Sequence, residues 1–356
     1  MMSYTRQSVD TTLEEDLSSL SLQSEGSPHR ADPPQPFNPF QEYLSSQQDQ
    51  VESLIRDHVR PYLNSRRKMS RLSADHPYFQ PARDLWEREG WDGEGLSNYI
   101  ALLCGILDFP AILLLNPSGL DHLLWDDMIR QSPTLSWLQQ ILESFGFTLR
   151  DIIIIDAFPL LTDRKMDSMG SEEKLRLTNE VFNLTVNFLR HFKPPVIISC
   201  QCATKSSHHR WGIVDNPLAA PLCSSVNRAR HREVAMMSVD THVIHVVQGF
   251  HPMYIVYEED PEMRSDHDQV LRSILKSVYQ PCADWSARRR RECEEDLHTA
   301  AEEVRNTMRA FLSSVKKYRR TQRQASTFGM GPVQLGGHAM PQWAGYVRFF
   351  VATMLE

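Results

Sequence analysis

Four short apolar runs, at 111–115, 152–156, 195–200 and 242–247, constrain the fold of this chain more than anything else in it. The first two, Ala111 to Leu115 and Ile152 to Ile155, are apolar at every position rather than at every second one. Strands of that kind are buried on both sides, as in a parallel sheet covered by helices. The intervening stretches supply those helices. Leu135, Leu138, Ile141, Leu142 and Phe145 recur at helical spacing, and Gly146 follows as a C-cap. A longer helix is expected over 172–192, carrying Leu175, Leu177, Val181, Leu184, Val186, Phe188 and Leu189, with Ser171 as its cap. The expected fold is therefore α/β: a three-layer α/β/α sandwich around a four-stranded parallel sheet with right-handed crossovers.

The flanks differ in character. Residues 1–46 are rich in Ser, Gln, Asp, Glu and Pro and are expected to form a disordered acidic tail. The first 50 residues carry a charge of −6 out of the −7 of the whole chain, so the remainder is nearly neutral and offers no overall basic field. A helix over 48–64 has Val51, Leu54, Ile55, Val59 and Leu63 on one stripe. The basic cluster Arg66, Arg67, Lys68 and Arg71 reads first as a solvated face and second as a nuclear address or phosphate contact. The aromatic stretch from Pro77 to Trp91 reads as a clamp packed on the domain. The sandwich domain is expected over 47–280 and a helical extension over 281–356. In that extension Leu297, Ala301, Val304, Met308, Phe311, Val315 and Tyr318 alternate by four and three. Such a stripe suits a long helix laid against the core, or a coiled coil taking a protein partner through 284–324. Gly329, Gly331, Gly336 and Gly337 then precede a short apolar end, Trp343 to Leu355.

No secretory leader opens the sequence, and the six cysteines have no framework spacing. An intracellular protein with reduced thiols, nuclear or cytoplasmic, is the expectation. No apolar run is long enough for a membrane span. Cys200 and Cys202 stand beside His208 and His209, but two cysteines one residue apart on a strand point to opposite faces, so no metal site is expected.

In open parallel sheets the ligand sits at the carboxyl ends of the strands. The first strand ends on Asn116-Pro117-Ser118-Gly119, and the last runs through Gln248-Gly249-Phe250 into His251-Pro252-Met253. Each is also ordinary turn chemistry. Taken in order, however, these motifs resemble the uracil-DNA glycosylase superfamily. In its mismatch-specific branch the first strand ends in Asn-Pro, and a divergent bacterial and phage branch has Asn-Pro-Ser there. The superfamily's last strand leads into a His-Pro motif, and its second strand into a polar residue and a loop, as at Asp156-Ala157-Phe158-Pro159. The resemblance spans roughly 105–280. It implies hydrolysis, or at least binding, of a base flipped out of DNA, with no cofactor. Asn116 would hold the attacking water while Pro117, Ser118 and Gly119 shape the turn. His251 would donate to the leaving base, a contribution of about 3–4 kcal/mol. Asp156 stands where one branch reads the base with asparagine, unless it caps a helix or pairs with an arginine such as Arg164. Phe158 would stack on the base, Pro252 and Met253 would line its pocket, and the loop at Met253-Tyr254-Ile255 would fill the gap it leaves. Lys205, Arg210, Arg228 and Arg230, ahead of the last strand, would contact phosphates. The alternative is a non-enzymatic interaction protein working through the heptad helix and acidic tail.

Overall fold

The computed structural model describes residues 49–201 and 218–329. The acidic tail, the 202–217 segment and the C-terminal apolar end lie outside them. The described chain opens with α1 (Gln50–Leu54), a π-helical turn (Ile55–Val59) and α2 (Arg60–Ser65), then α3 (Gln80–Arg88) and α4 (Gly95–Leu103). There follow β1 (Ala111–Leu114), α5 (Trp125–Gln131), α6 (Pro133–Glu143), β2 (Ile154–Asp156), α7 (Asp163–Ser168), α8 (Ser171–Phe192) and β3 (Val196–Ser199). The last elements are α9 (Val226–Arg230), β4 (Val234–Val239), β5 (His242–Gln248), α10 (Met253–Val256) and α11 (Pro261–Thr327).

The sheet has five strands, in the order β2-β1-β3-β5-β4, and not the expected four. The four apolar runs form β2, β1, β3 and β5, all mutually parallel. The additional strand, β4, pairs antiparallel with β5 through a two-residue turn, Asp240-Thr241, with Asp240 at a φ of 54°. It escapes a reading by hydrophobicity because it lies at the sheet edge: Met236 is exposed, Ser238 is polar, and Met is a good helix former. The turn also lacks the Asn-Gly signal of a tight hairpin.

Alternation within the strands divides the core in two. Ile112, Leu114, Ile154, Val196, Ile198 and Val247 pack with α1, α2, α6 and the first part of α11. Ala111, Leu113, Ile153, Ile155, Ile197 and Val246 pack on the opposite face with α3, α4 and α8. That is the α/β/α layering. The aromatic stretch joins it as expected for a packed clamp, with Phe79, Leu85 and Trp86 buried. Gly146 ends α6 at a φ of 79°, its N–H and that of Phe147 reaching back to Glu143 and Leu142. Ser171, by contrast, is the first residue of α8, and Gly170 is the cap. Where Gly105 passes β2, a Cβ would come within 2.6 Å of the Ile152 and Ile153 backbone. Gly105→Ala is therefore expected to cost about 1–3 kcal/mol of stability in urea denaturation.

Pro281 does not end anything. It lies inside α11, which starts twenty residues before the expected boundary and runs 67 residues. Proline normally breaks a helix by removing an N–H and crowding the preceding turn. Here Leu271, Ile274, Leu275, Val278, Tyr279, Cys282 and Trp285 are buried on both sides of it, and the Tyr279 hydroxyl donates to the Pro110 carbonyl at 3.0 Å. Packing holds the helix through the defect. Beyond Trp285 no residue of α11 joins either core, so the heptad stripe does not lie against the domain as the simplest reading had it. Leu297, Val304 and Phe311 are 70%, 53% and 47% exposed. No helix among the described residues is long and apolar enough to cross a membrane.

Candidate active site at the carboxyl edge of the sheet

One register row crosses the parallel strands through Ile155, Leu113, Ser199 and Gln248. Phe158, Asn116 and His251 each lie three residues beyond that row, on β2, β1 and β5 respectively. Backbone pairing continues past the strand ends, with Ala157 and Phe158 donating to Leu114 and Leu115, and Gly249 to Ser199. The three side chains are thus delivered to one edge. Chain order reverses between β1 and β3, because β1 has β2 on one side and β3 on the other. Such a switch point opens the crevice in which α/β proteins bind ligands. With only β3 between them, the strands bearing Asn116 and His251 are about 10 Å apart.

Asn116 is half-buried, and its amide donates to the Pro117 and Leu161 carbonyls at 3.3 and 3.4 Å, both long bonds. Leu160, next to that acceptor, is held at a φ of 68° and offers its own carbonyl to the Lys165 amine at 3.0 Å. Ser118 accepts from the Leu120 N–H, and the Gly119 carbonyl lies 2.9 Å from His122 Nδ1. Gly119 has open space where a Cβ would be and no left-handed backbone, so the turn does not require glycine there.

His251 is only partly shielded as a residue, but its ring is deep enough for burial to push its pKa down to about 4. Its Nδ1 accepts from the Met253 N–H at 3.2 Å, which assigns the proton of the neutral ring to Nε2. The side chain is a neutral hydrogen-bond donor at physiological pH. Pro252 is buried and Met253 is 38% exposed at the start of α10.

Asp156 ends β2 with 6% of its surface exposed. It neither caps a helix nor pairs with Arg164, and no donor reaches its carboxyl among the described residues. Burial, aided by the charge of Asp121, pushes it up to about 7. Asp121 is itself raised by burial and is opposed by Lys165. Burial lowers Lys165, against the pull of Asp121 and Asp92, and its amine sits 4.5 and 4.3 Å from the Trp86 and Trp91 ring centres. Asn98 fixes the loop carrying Asp121 by donating to the Asp121 and Leu123 carbonyls at 2.7 and 2.8 Å. Sequence reasoning missed Asp121, Lys165 and the two tryptophans as site residues. Asp121 stands five residues after Asn116, the one local signal. The others arrive from α3, its following loop and α7, which only the fold brings together.

Phe158 is 3% exposed and packs on Phe182 at 5.8 Å, so it forms the floor of the edge rather than a free platform. Arg228 and Arg230 do lie at this edge, because Val234 after them pairs with Val247 near the end of β5. Both are engaged: Arg228 with Glu233 at 2.7 Å and the Cys223 carbonyl, Arg230 with Asp266 at 2.5 Å. Lys205 and Arg210 lie outside the described residues, as do Cys202, His208 and His209. The basic cluster after α2 is not simply solvated either. Arg66 pairs with Asp108 at 3.3 Å and Arg71 with Asp151 at 2.6 Å. A surface hollow of about 350 Å³ lined by Phe145, Arg272 and Lys276 lies beside the end of α6, away from this edge. No family model matches the chain, and no curated protein does.

Proposed function

We propose that the carboxyl-edge crevice binds a nucleobase extruded from nucleic acid and hydrolyses its N-glycosidic bond, in the manner of a uracil-DNA glycosylase. The observation that carries this reading is the placement of Asn116 and His251 three residues past one register row, either side of β3. Bond cleavage leaves an oxocarbenium-like sugar and an anionic base. Asn116, whose amide makes only long bonds, orients a water toward the sugar, and the Nε2 proton of His251 meets the charge growing on the base. Asp156 contributes as an acid: ionised, a carboxylate can only accept, but in its protonated form it donates to a base carbonyl.

The test is a gel assay on uracil-, hypoxanthine- and mismatch-containing oligonucleotides. At least one is expected to be cleaved at the abasic site after alkali, and Asn116→Ala is expected to slow cleavage about a hundredfold through loss of water positioning. Inactivity on every substrate, or full activity of Asn116→Ala, overturns the reading.

A further inference from the structure

Two imidazoles meet where the first helices cross the β4–β5 hairpin. His58 comes from the π-helical turn and His245 from the middle of β5, and their ring centres lie 4.6 Å apart. No hydrogen bond reaches either ring among the described residues. The turn is wider than an α-turn: the Arg60 N–H reaches back five residues to the Ile55 carbonyl, a geometry that recurs at functional sites. A third donor faces the pair. Met236 stands directly opposite His245 in the hairpin register, so their Cβ atoms project from the same face about 5 Å apart. The next pair on that face toward the carboxyl edge, Val234 and Val247, packs into the core with α1. Met236 is instead 69% exposed, and its unbranched side chain is free to turn toward the rings.

We propose that His58, His245 and Met236 form a binding site for a soft monovalent cation of the copper(I) class. Two imidazole nitrogens about 2 Å from one ion set their ring centres roughly 4.5–5.5 Å apart, a spacing this pair already has. Burial, with the neighbouring His58 and His242, lowers the pKa of His245, so its ring keeps a lone pair at physiological pH. The donor set selects the ion. Zinc takes three or four nitrogen, thiolate or carboxylate ligands, and no such trio of His, Cys, Asp or Glu converges among the described residues. His242, three residues before His245, projects from the other face of β5. Asp57, beside His58, is held by Arg56 at 2.8 Å. A thioether with two imidazoles suits a soft ion instead. The three ligands come from three elements, so a bound ion ties the edge strand to the helical layer.

The test is titration of the full chain with Ag(I), the air-stable ion of the same class, followed by the methyl resonances of methionines labelled with carbon-13. The thiols are first blocked with N-ethylmaleimide, because Cys293 is exposed. The Met236 methyl, assigned by its loss in Met236→Leu, is expected to shift and to saturate at one equivalent. His58→Phe keeps a ring against His245 and removes the nitrogens; it is expected to weaken binding by more than about tenfold without changing the far-UV circular dichroism. Zn(II) is expected to leave the Met236 methyl of the native chain unmoved, and Met236→His is expected to gain Zn(II) binding by completing a three-nitrogen set. A Met236 methyl that ignores saturating Ag(I), undiminished binding by His58→Phe, or displacement of Ag(I) by equimolar Zn(II) overturns the proposal.

Discussion

Asp156→Asn is expected to make the protein more stable at pH 8, by up to about 4 kcal/mol, and to leave it nearly unchanged at pH 4. The carboxyl is raised from an ordinary value near 4 to about 7 because burial, and then Asp121, penalises its charge. Between those values the folded state keeps a proton that the unfolded chain has released. Stability is therefore full below about pH 4, falls as pH rises toward 7, and is level above that. Asparagine has the same shape and no charge to desolvate, so its curve lacks that fall. Urea denaturation of both proteins at pH 4, 6 and 8 reads the difference directly. Parallel curves would mean that Asp156 reaches solvent or a compensating cation when ionised. The same titration enters the proposed reaction: if protonated Asp156 reads the base, substrate affinity drops about tenfold between pH 6 and 8, and the drop vanishes in the asparagine variant.

His251→Ala is expected to lower the single-turnover rate of base release by about 10²–10³. The reason is geometric as well as electrostatic. Nδ1 is committed to the Met253 N–H, so the remaining proton points from a fixed ring and costs no reorganisation when charge develops on the base. His251→Gln keeps an N–H donor of similar reach and is expected to recover a large part of the loss. A rate indifferent to both changes would remove His251 from the chemistry and leave only its turn. Equal melting temperatures across the three proteins exclude a folding effect.

The parallel strands were legible because their burial on both faces writes itself into continuous Ile, Leu and Val. β4 was not, because an edge strand with Met236 facing solvent has no such record. Pro281 misled for a related reason: a residue that stops an isolated helix is tolerated where Tyr279, Cys282 and Trp285 clamp the next turn. At the site, Asn116 and His251 could be found because strand ends and turn residues are local signals. The linked set of Asp121, Asp156 and Lys165 could not, since it depends on which loop lies over β2. The arginines show the opposite failure. Arg228 and Arg230 read as candidate phosphate contacts in one dimension, while the structure pairs them with Glu233, in the turn before β4, and with Asp266, which only the fold brings in from α11.

The continuity of α11 has a spatial consequence. Its first turns carry His267, whose ring meets Phe250 edge-on at 5.6 Å, one residue from His251. Its last 42 residues, from Ser286 to Thr327, extend about 60 Å beyond the packed portion. One uninterrupted helix therefore carries both the residue that packs on the loop bearing His251 and the exposed distal segment, with Pro281 held between them by the core.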